Sequence, residues 1–405
     1  MSPLPPGEGR GEGRALHTAR PPLGIARGTC DEQRAPMTSF LRTTLERLTQ
    51  RLRPQRTTPP PAPARAVIPL RPLAPEVAER IAAFWRWFSA ERPRFEHAVR
   101  MGLNPELQEL LGAEVSALHP ELHWELGRAR DGVIDLSLTA EGNFPLRKLT
   151  EAWCQAAPHD LQGWRFHPAR PPTPGATAFT LNVAGQDAAI ADLRCALEPD
   201  DARARLNLRV WHPAFAALEP EARSMVAFLS LDALLGEDDV ERWVGGIQLV
   251  EEAAEAFVPP AELQARVAAL AAAPRDTFSF LQGKNPQGRA AMATLNLALK
   301  RLDHLAYEDQ LVVTIAYRNA DAQGIPPAEE HQAAQALEDT LVESLAGLAL
   351  HYGHVVSGGR LEVLFYVADK RAAEGKLAAW RGRAQGWQVQ RTWHHDPEWK
   401  ALLKW

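Results

Sequence analysis

The order of apolar and β-branched runs between residues 311 and 399 limits the fold more than anything else in this chain. Leu311-Val312-Val313-Thr314-Ile315-Ala316-Tyr317-Arg318 is rich in β-formers and apolar on both faces, as a central strand must be. Asp321-Ala322-Gln323-Gly324-Ile325-Pro326-Pro327 then turns the chain. Beyond it, Ala333, Leu337, Leu341, Leu345 and Leu348 follow helical spacing and predict a helix over 327–350. Strands are expected at 352–357 and 360–368, joined by Ser357-Gly358-Gly359. A helix at 370–383, a strand at 387–394 and a terminal helix from about 397 follow.

Strand, helix, strand, strand, helix, strand is the βαββαβ order of a ferredoxin-like domain. A hairpin at 277–283 and 289–298, around Asn285-Pro286-Gln287-Gly288, precedes it and sets the domain at 275–405. The fold class is α+β, because residues 76–258 read as a second α+β domain. Its expected helices lie at 76–100, 105–117, 145–157 and 218–235, with a short one after Gly236. Its strands lie at 121–128, 132–139, 177–184, 188–197, 203–211 and 244–251, and one more opens at Gly163-Trp164. Asp131-Gly132 suits a hairpin turn, and the Ala-rich helix of residues 259–274 reads as a connector. The element order of 105–168 is repeated in 327–394, down to a Gly-Trp opening the last strand, which fits either two domains of related build through duplication or a coincidence of a common order.

Residues 1–36 are low-complexity Gly, Pro and Arg and bury too little apolar surface to order themselves. They read as a disordered segment or an upstream extension of the gene model, with Met37 as the start. In residues 37–75, Leu41, Leu45, Leu48 and Leu52 lie near helical spacing with Arg between them, and a Pro-rich linker follows. Residues 1–75 hold twelve Arg, no Lys and five acids, about +7, so the rest of the chain carries about −12 of the net −5. That balance gives no global basic face for nucleic acid. No apolar run is long enough to span a membrane. Cys30, Cys154 and Cys195 form neither a disulfide framework nor a metal knuckle, which suits a reducing cytoplasm.

The side chains with the most chemistry cluster near the C-terminus. His394-His395-Asp396-Pro397-Glu398 could ligate a metal or serve in acid–base work, and His351 and His354 could join it from the preceding hairpin. Convergence of three or more of these six would favour a metal-dependent hydrolase. The plainer reading makes Asp396 the cap of the terminal helix, Pro397 its first residue, Glu398 a dipole partner and Trp399 an anchor. Trp387, Arg391 and Trp393 alternate on one strand face and form a candidate contact surface. The acids Asp232, Glu237, Asp238, Asp239 and Glu241 read as a solvated helix start. No complete catalytic, metal or cofactor motif is present, so the expectation is a non-enzymatic binding or regulatory protein with a protein partner and no cofactor.

One resemblance supports that expectation. Val312-Val313-Thr314-Ile315-Ala316-Tyr317, Gly324-Ile325-Pro326, Leu337-Glu338-Asp339, Gly358-Gly359-Arg360, Phe365-Tyr366-Val367 and Asp396-Pro397-Glu398-Trp399 together resemble a bacterial family known only as a domain of unknown function, number 695, over residues 275–403. More distantly, such a domain is similar to the ferredoxin-like regulator B inhibitor of ribonuclease E. That likeness implies action by binding a protein and brings no catalytic residues.

Overall fold

The computed structural model describes residues 67–405 except 102–104, 128–132, 255 and 274–276. The Asp131-Gly132 turn, the basic segment at 39–53 and Cys30 lie outside the described residues. The fold is α+β, with several sheets and helices packed on them.

The first unit opens with α1 (Pro75–Met101) and α2 (Pro105–Leu118). On α1, Ile81, Phe84, Trp85, Phe88 and Phe95 form a buried stripe. It packs on β1 (His123–Leu126), β2 (Ile134–Thr139), α3 (Arg147–Gln155) and β3 (Trp164–His167). Trp85 stacks on Trp153 at 4.9 Å and donates its indole N–H to the Trp153 carbonyl at 2.9 Å, so the buried ring loses no hydrogen bond.

The next unit contains a hairpin of β4 (Thr180–Val183) and β5 (Gln186–Ala189), then β6 (Arg194–Asp200), β7 (Arg205–Trp211), α4 (Pro220–Leu235), α5 (Glu237–Trp243), β8 (Val244–Leu249) and α6 (Pro260–Ala272). The single strand expected over 188–197 is two strands in different sheets, separated by a 3₁₀ turn at Ile190–Asp192. Apolar content alone did not reveal the break. The expected connector, α6, is instead part of a core: Leu263 and Val267 are buried among the side chains of this unit.

The last unit holds β9 (Ser279–Lys284), β10 (Ala290–Leu295), β11 (Asp309–Ala316), α7 (Ala328–Ser344), β12 (Ala349–Ser357), β13 (Arg360–Val367), α8 (Lys370–Trp380), β14 (Gln388–His395) and α9 (Lys400–Leu403). They build one six-stranded sheet in the order β14-β11-β13-β12-β10-β9, with every neighbouring pair antiparallel. On one face, α7 and α8 bury Leu311, Val313, Ile315, Val363 and Phe365. The other face carries a second core of Leu295, Tyr352, Leu364 and Tyr366, closed by Trp399 and Leu402. α7 stops six residues before the expected 350, because Gly347 takes a φ of 77° and reverses the chain.

The terminal helix also starts later than expected. Trp399, at φ 56°, precedes it, and Pro397 lies outside. Asp396 still caps it: its two carboxylate oxygens accept the N–H of Lys400 and Ala401 at 2.8 Å, and Tyr366 donates its hydroxyl at 2.8 Å. Trp399 is buried against Tyr366, with ring centroids 4.4 Å apart. Asp396→Ala should therefore lose a cap and strand a buried hydroxyl, costing about 2 kcal/mol. An unchanged urea midpoint for the C-terminal unit would refute this.

The element order shared by 105–168 and 327–394 stops at the sheet. β2 pairs directly with β3 in parallel, whereas β11 intervenes between β13 and β14. Polar contacts join the last unit to the others. Lys300 Nζ donates to the carbonyls of Arg203 and Ala204, and Arg71 reaches Asp309 and the carbonyls of Ala306 and Val367.

Candidate functional site

Residues three apart on a regular strand point to opposite faces. His351 and His354 are the exception, because a bulge lies between them. His351 pairs with Phe365 and Gly353 with Leu364, leaving Tyr352 as the extra residue. Tyr352 turns into the second core, and both histidines face α7. β12 starts at Ala349, so His351, which the expected strand at 352–357 left outside, lies on it with His354.

Glu338 of α7 meets them there. His354 Nδ1 is 2.9 Å from Glu338 Oε1 and hydrogen bonded to it. His351 Nε2 lies 3.1 Å from the same oxygen but off the line of a directed hydrogen bond. Burial alone would raise the Glu338 carboxyl; the two imidazoles outweigh it and hold the group down at about 2. Two turns back on the same face of α7, His331 Nδ1 and the Tyr317 hydroxyl are hydrogen bonded at 2.9 Å. Burial first, then the nearby His354, lowers the His331 pKa. In the sequence Glu338 stands out only within Leu337-Glu338-Asp339, a motif of the family resemblance that gives it no role.

This cluster forms one wall of a shelf. α7 lies over β12 and β13, and α8 over β11 and β14, as their buried contacts show. The same face of β10 and β9 has no described helix on it. Thr294 and Met292 of β10 stand there, and the register continues the rows to Phe280 and Gln282. Phe280 is 60% exposed and Phe278 44% exposed, and the Phe278 ring lies 5.9 Å from that of His351. The outer edge of β9 pairs with no described strand.

The other candidate residues lie elsewhere. His394 is exposed on β14, His395 Nδ1 is 3.0 Å from Asp309, Asp396 is the cap described above, and Glu398 pairs with Lys400. The six residues thus split, and only His351 and His354 come together. Among the described residues, no group of three or more His, Cys, Asp or Glu is arranged to hold a metal ion. Arg391 and Trp393 do share a face, but both donate to Glu374 of α8, while Arg318 lies over Trp387 at 5.2 Å.

The acids expected at a solvated helix start are largely engaged. Glu237 accepts Thr139 Oγ1 at 2.6 Å, and Asp238 pairs with the buried Arg147. Arg170 contacts Glu125, Asp232 and Glu141 together. Neither arginine stood out in the sequence, since each is separated from its partners by tens of residues.

Residues 283–404 match the model of a family of unknown function (DUF695). The match begins inside β9 and runs through α9, so Phe278 and Phe280 lie just before it. No curated protein and no solved structure matches the chain. No described helix is long and apolar enough to cross a membrane.

Proposed function

We propose that this is a non-enzymatic cytoplasmic protein that binds a protein partner through the β9–β10 shelf, on a C-terminal domain of ferredoxin-like build. The observation that carries the reading is the exposed aromatic pair of Phe280, on β9, and Phe278, just before it, where the outer edge of β9 pairs with no described strand. Edge strands are usually blunted by charge, proline or a covering element. β9 ends in Lys284, but its Ser279-Phe280-Leu281 end has no charge or proline. An aromatic edge beside a helix wall suits an added strand or an amphipathic helix from a partner.

Two further features support the domain reading. Within the six strands, β14-β11-β13-β12 is the fourth, first, third and second strand of the split unit, all antiparallel, with both helices on one face. The likeness to an inhibitor that works by occupying its partner points the same way. The hydrolase alternative has no comparable support, since its six candidate residues split.

Phe280→Asp tests the proposal. The side chain is exposed, so the fold should tolerate the change to within about 0.5 kcal/mol. Crosslinked capture by the wild type should recover a specific protein that Phe280→Asp loses by at least about tenfold. Equal capture by the two proteins would sink this reading.

A further inference from the structure

The uncovered shelf has room for one more helix. Strands lie about 4.8 Å apart and packed helices about 10 Å apart, so two helices cover roughly four strands. The two strands left over, β10 and β9, match the width of a third helix laid beside α7. Its floor would be Phe280, Phe278, Met292 and Thr294.

The wall beside it is acidic. α7 contains Glu329, Glu330, Glu338, Asp339 and Glu343 and no Lys or Arg. Thr340 accepts the Trp380 indole and so faces α8. At about 100° per residue, Asp339 turns away from α8, between solvent and the shelf, while Glu343 lies only about 60° from Thr340 and faces solvent. An occupant that fits is an amphipathic helix with an apolar stripe.

The chain itself has such a segment. Residues 39–53 carry Leu41, Leu45, Leu48 and Leu52 at helical spacing, with Arg42, Arg47, Arg51 and Arg53 against a single acid, Glu46. Reach permits the contact. Ile68 is buried against Leu302 and Leu305, and Arg71 is tied to Asp309 of β11 and Val367 of β13. From β11 to β9 is four strand spacings, about 19 Å. The thirteen residues 54–66, rich in proline, span up to about 40 Å at roughly 3.1 Å each. From apolar pattern and tether length, we infer that residues 39–53 dock on the β9–β10 shelf of their own chain and compete there with the partner. This rests on the shelf being a binding surface. The tethered segment acts at high effective concentration, so weak contacts suffice to hold it.

Thiol labelling of the full chain tests the inference. Phe280→Cys is made with Cys30→Ser and Cys154→Ser; the remaining Cys195 is buried and silent. Maleimide should label position 280 at least about tenfold more slowly when residues 39–53 are intact than when Leu45→Asp and Leu48→Asp are added. The slow rate should not depend on protein concentration. Benzoylphenylalanine at position 48 should crosslink to peptides containing β9 or β10. Equal labelling rates with and without the Leu changes overturn the inference, as does protection that grows with concentration, which assigns the shelf to a second copy. Partner capture lost by Phe280→Asp alongside equal labelling rates overturns this inference alone and leaves the binding reading standing.

Discussion

Gly353→Ala is expected to destabilise the C-terminal unit by about 4 kcal/mol or more, or to leave it unfolded. Gly353 sits at φ 135°, which L side chains rarely adopt. A Cβ there would overlap the Thr294 carbonyl oxygen and lie 2.8 Å from Leu295 Cα. Both are backbone atoms of β10, so relief requires moving one strand of the sheet off another. Strain and overlap then act together, in the range reserved for a few severe mechanisms. Gly347→Ala is the control. It has a similar demand for positive φ, 77°, but nothing within 4 Å of the added carbon, so about 1 kcal/mol is expected. Comparable urea midpoints for the two variants would refute the argument. The consequence reaches the site as well. Without the bulge, a regular β12 cannot keep both His351 and His354 facing Glu338.

That glycine also explains what was legible in the sequence and what was not. The strand, helix, strand, strand, helix, strand order of 311–395 could be read because β-branched runs, helical spacing and Gly-Gly turns all act locally. Gly324 belongs with them for a reason only the structure supplies: a Cβ would strike the backbone of Gly358 and Gly359 at 2.6–2.8 Å. Element ends were less legible, since Gly347 and Trp399 stop or start helices through a left-handed residue rather than through composition. The cluster at Glu338 could not be read at all. A one-residue bulge decides which way a histidine faces, and the sequence marks it only by a glycine inside a strand pattern. Phe278 and Phe280 looked like ordinary strand residues. Their exposure follows from β9 lying beyond the reach of both helices, a matter of strand order. The acids at 232–241 were misjudged for the same reason, because their cations Arg147 and Arg170 arrive from distant elements.

Arg170→Met is expected to cost about 3–5 kcal/mol at pH 8, the usual penalty for removing one partner of a buried ionic group. Arg170 lies 2.6 Å from Glu125 of β1, 3.0 Å from Asp232 of α4 and 3.8 Å from Glu141. Its backbone N–H donates to Glu237 at 3.2 Å. Glu141 also lies 3.4 Å from His123 Nε2. Burial, reinforced by Glu237 and Glu125 and opposed by Arg170, leaves the Asp232 carboxyl raised to about 7. Burial likewise raises Glu141, against His123 and Arg170. A carboxyl whose folded pKa is raised holds a proton that the unfolded chain has released. Its contribution is complete below the ordinary aspartate range and is lost as pH rises toward 7. Wild-type stability should therefore fall across that window. Without Arg170 the carboxylates repel one another unscreened, their pKa values rise further, and the loss extends to higher pH. The gap between variant and wild type should shrink from pH 8 to pH 5, where Asp232 is protonated in both. Paired urea titrations at the two pH values decide the matter: a gap that stays constant, or widens on acidification, would show that Arg170 does not hold these carboxylates together.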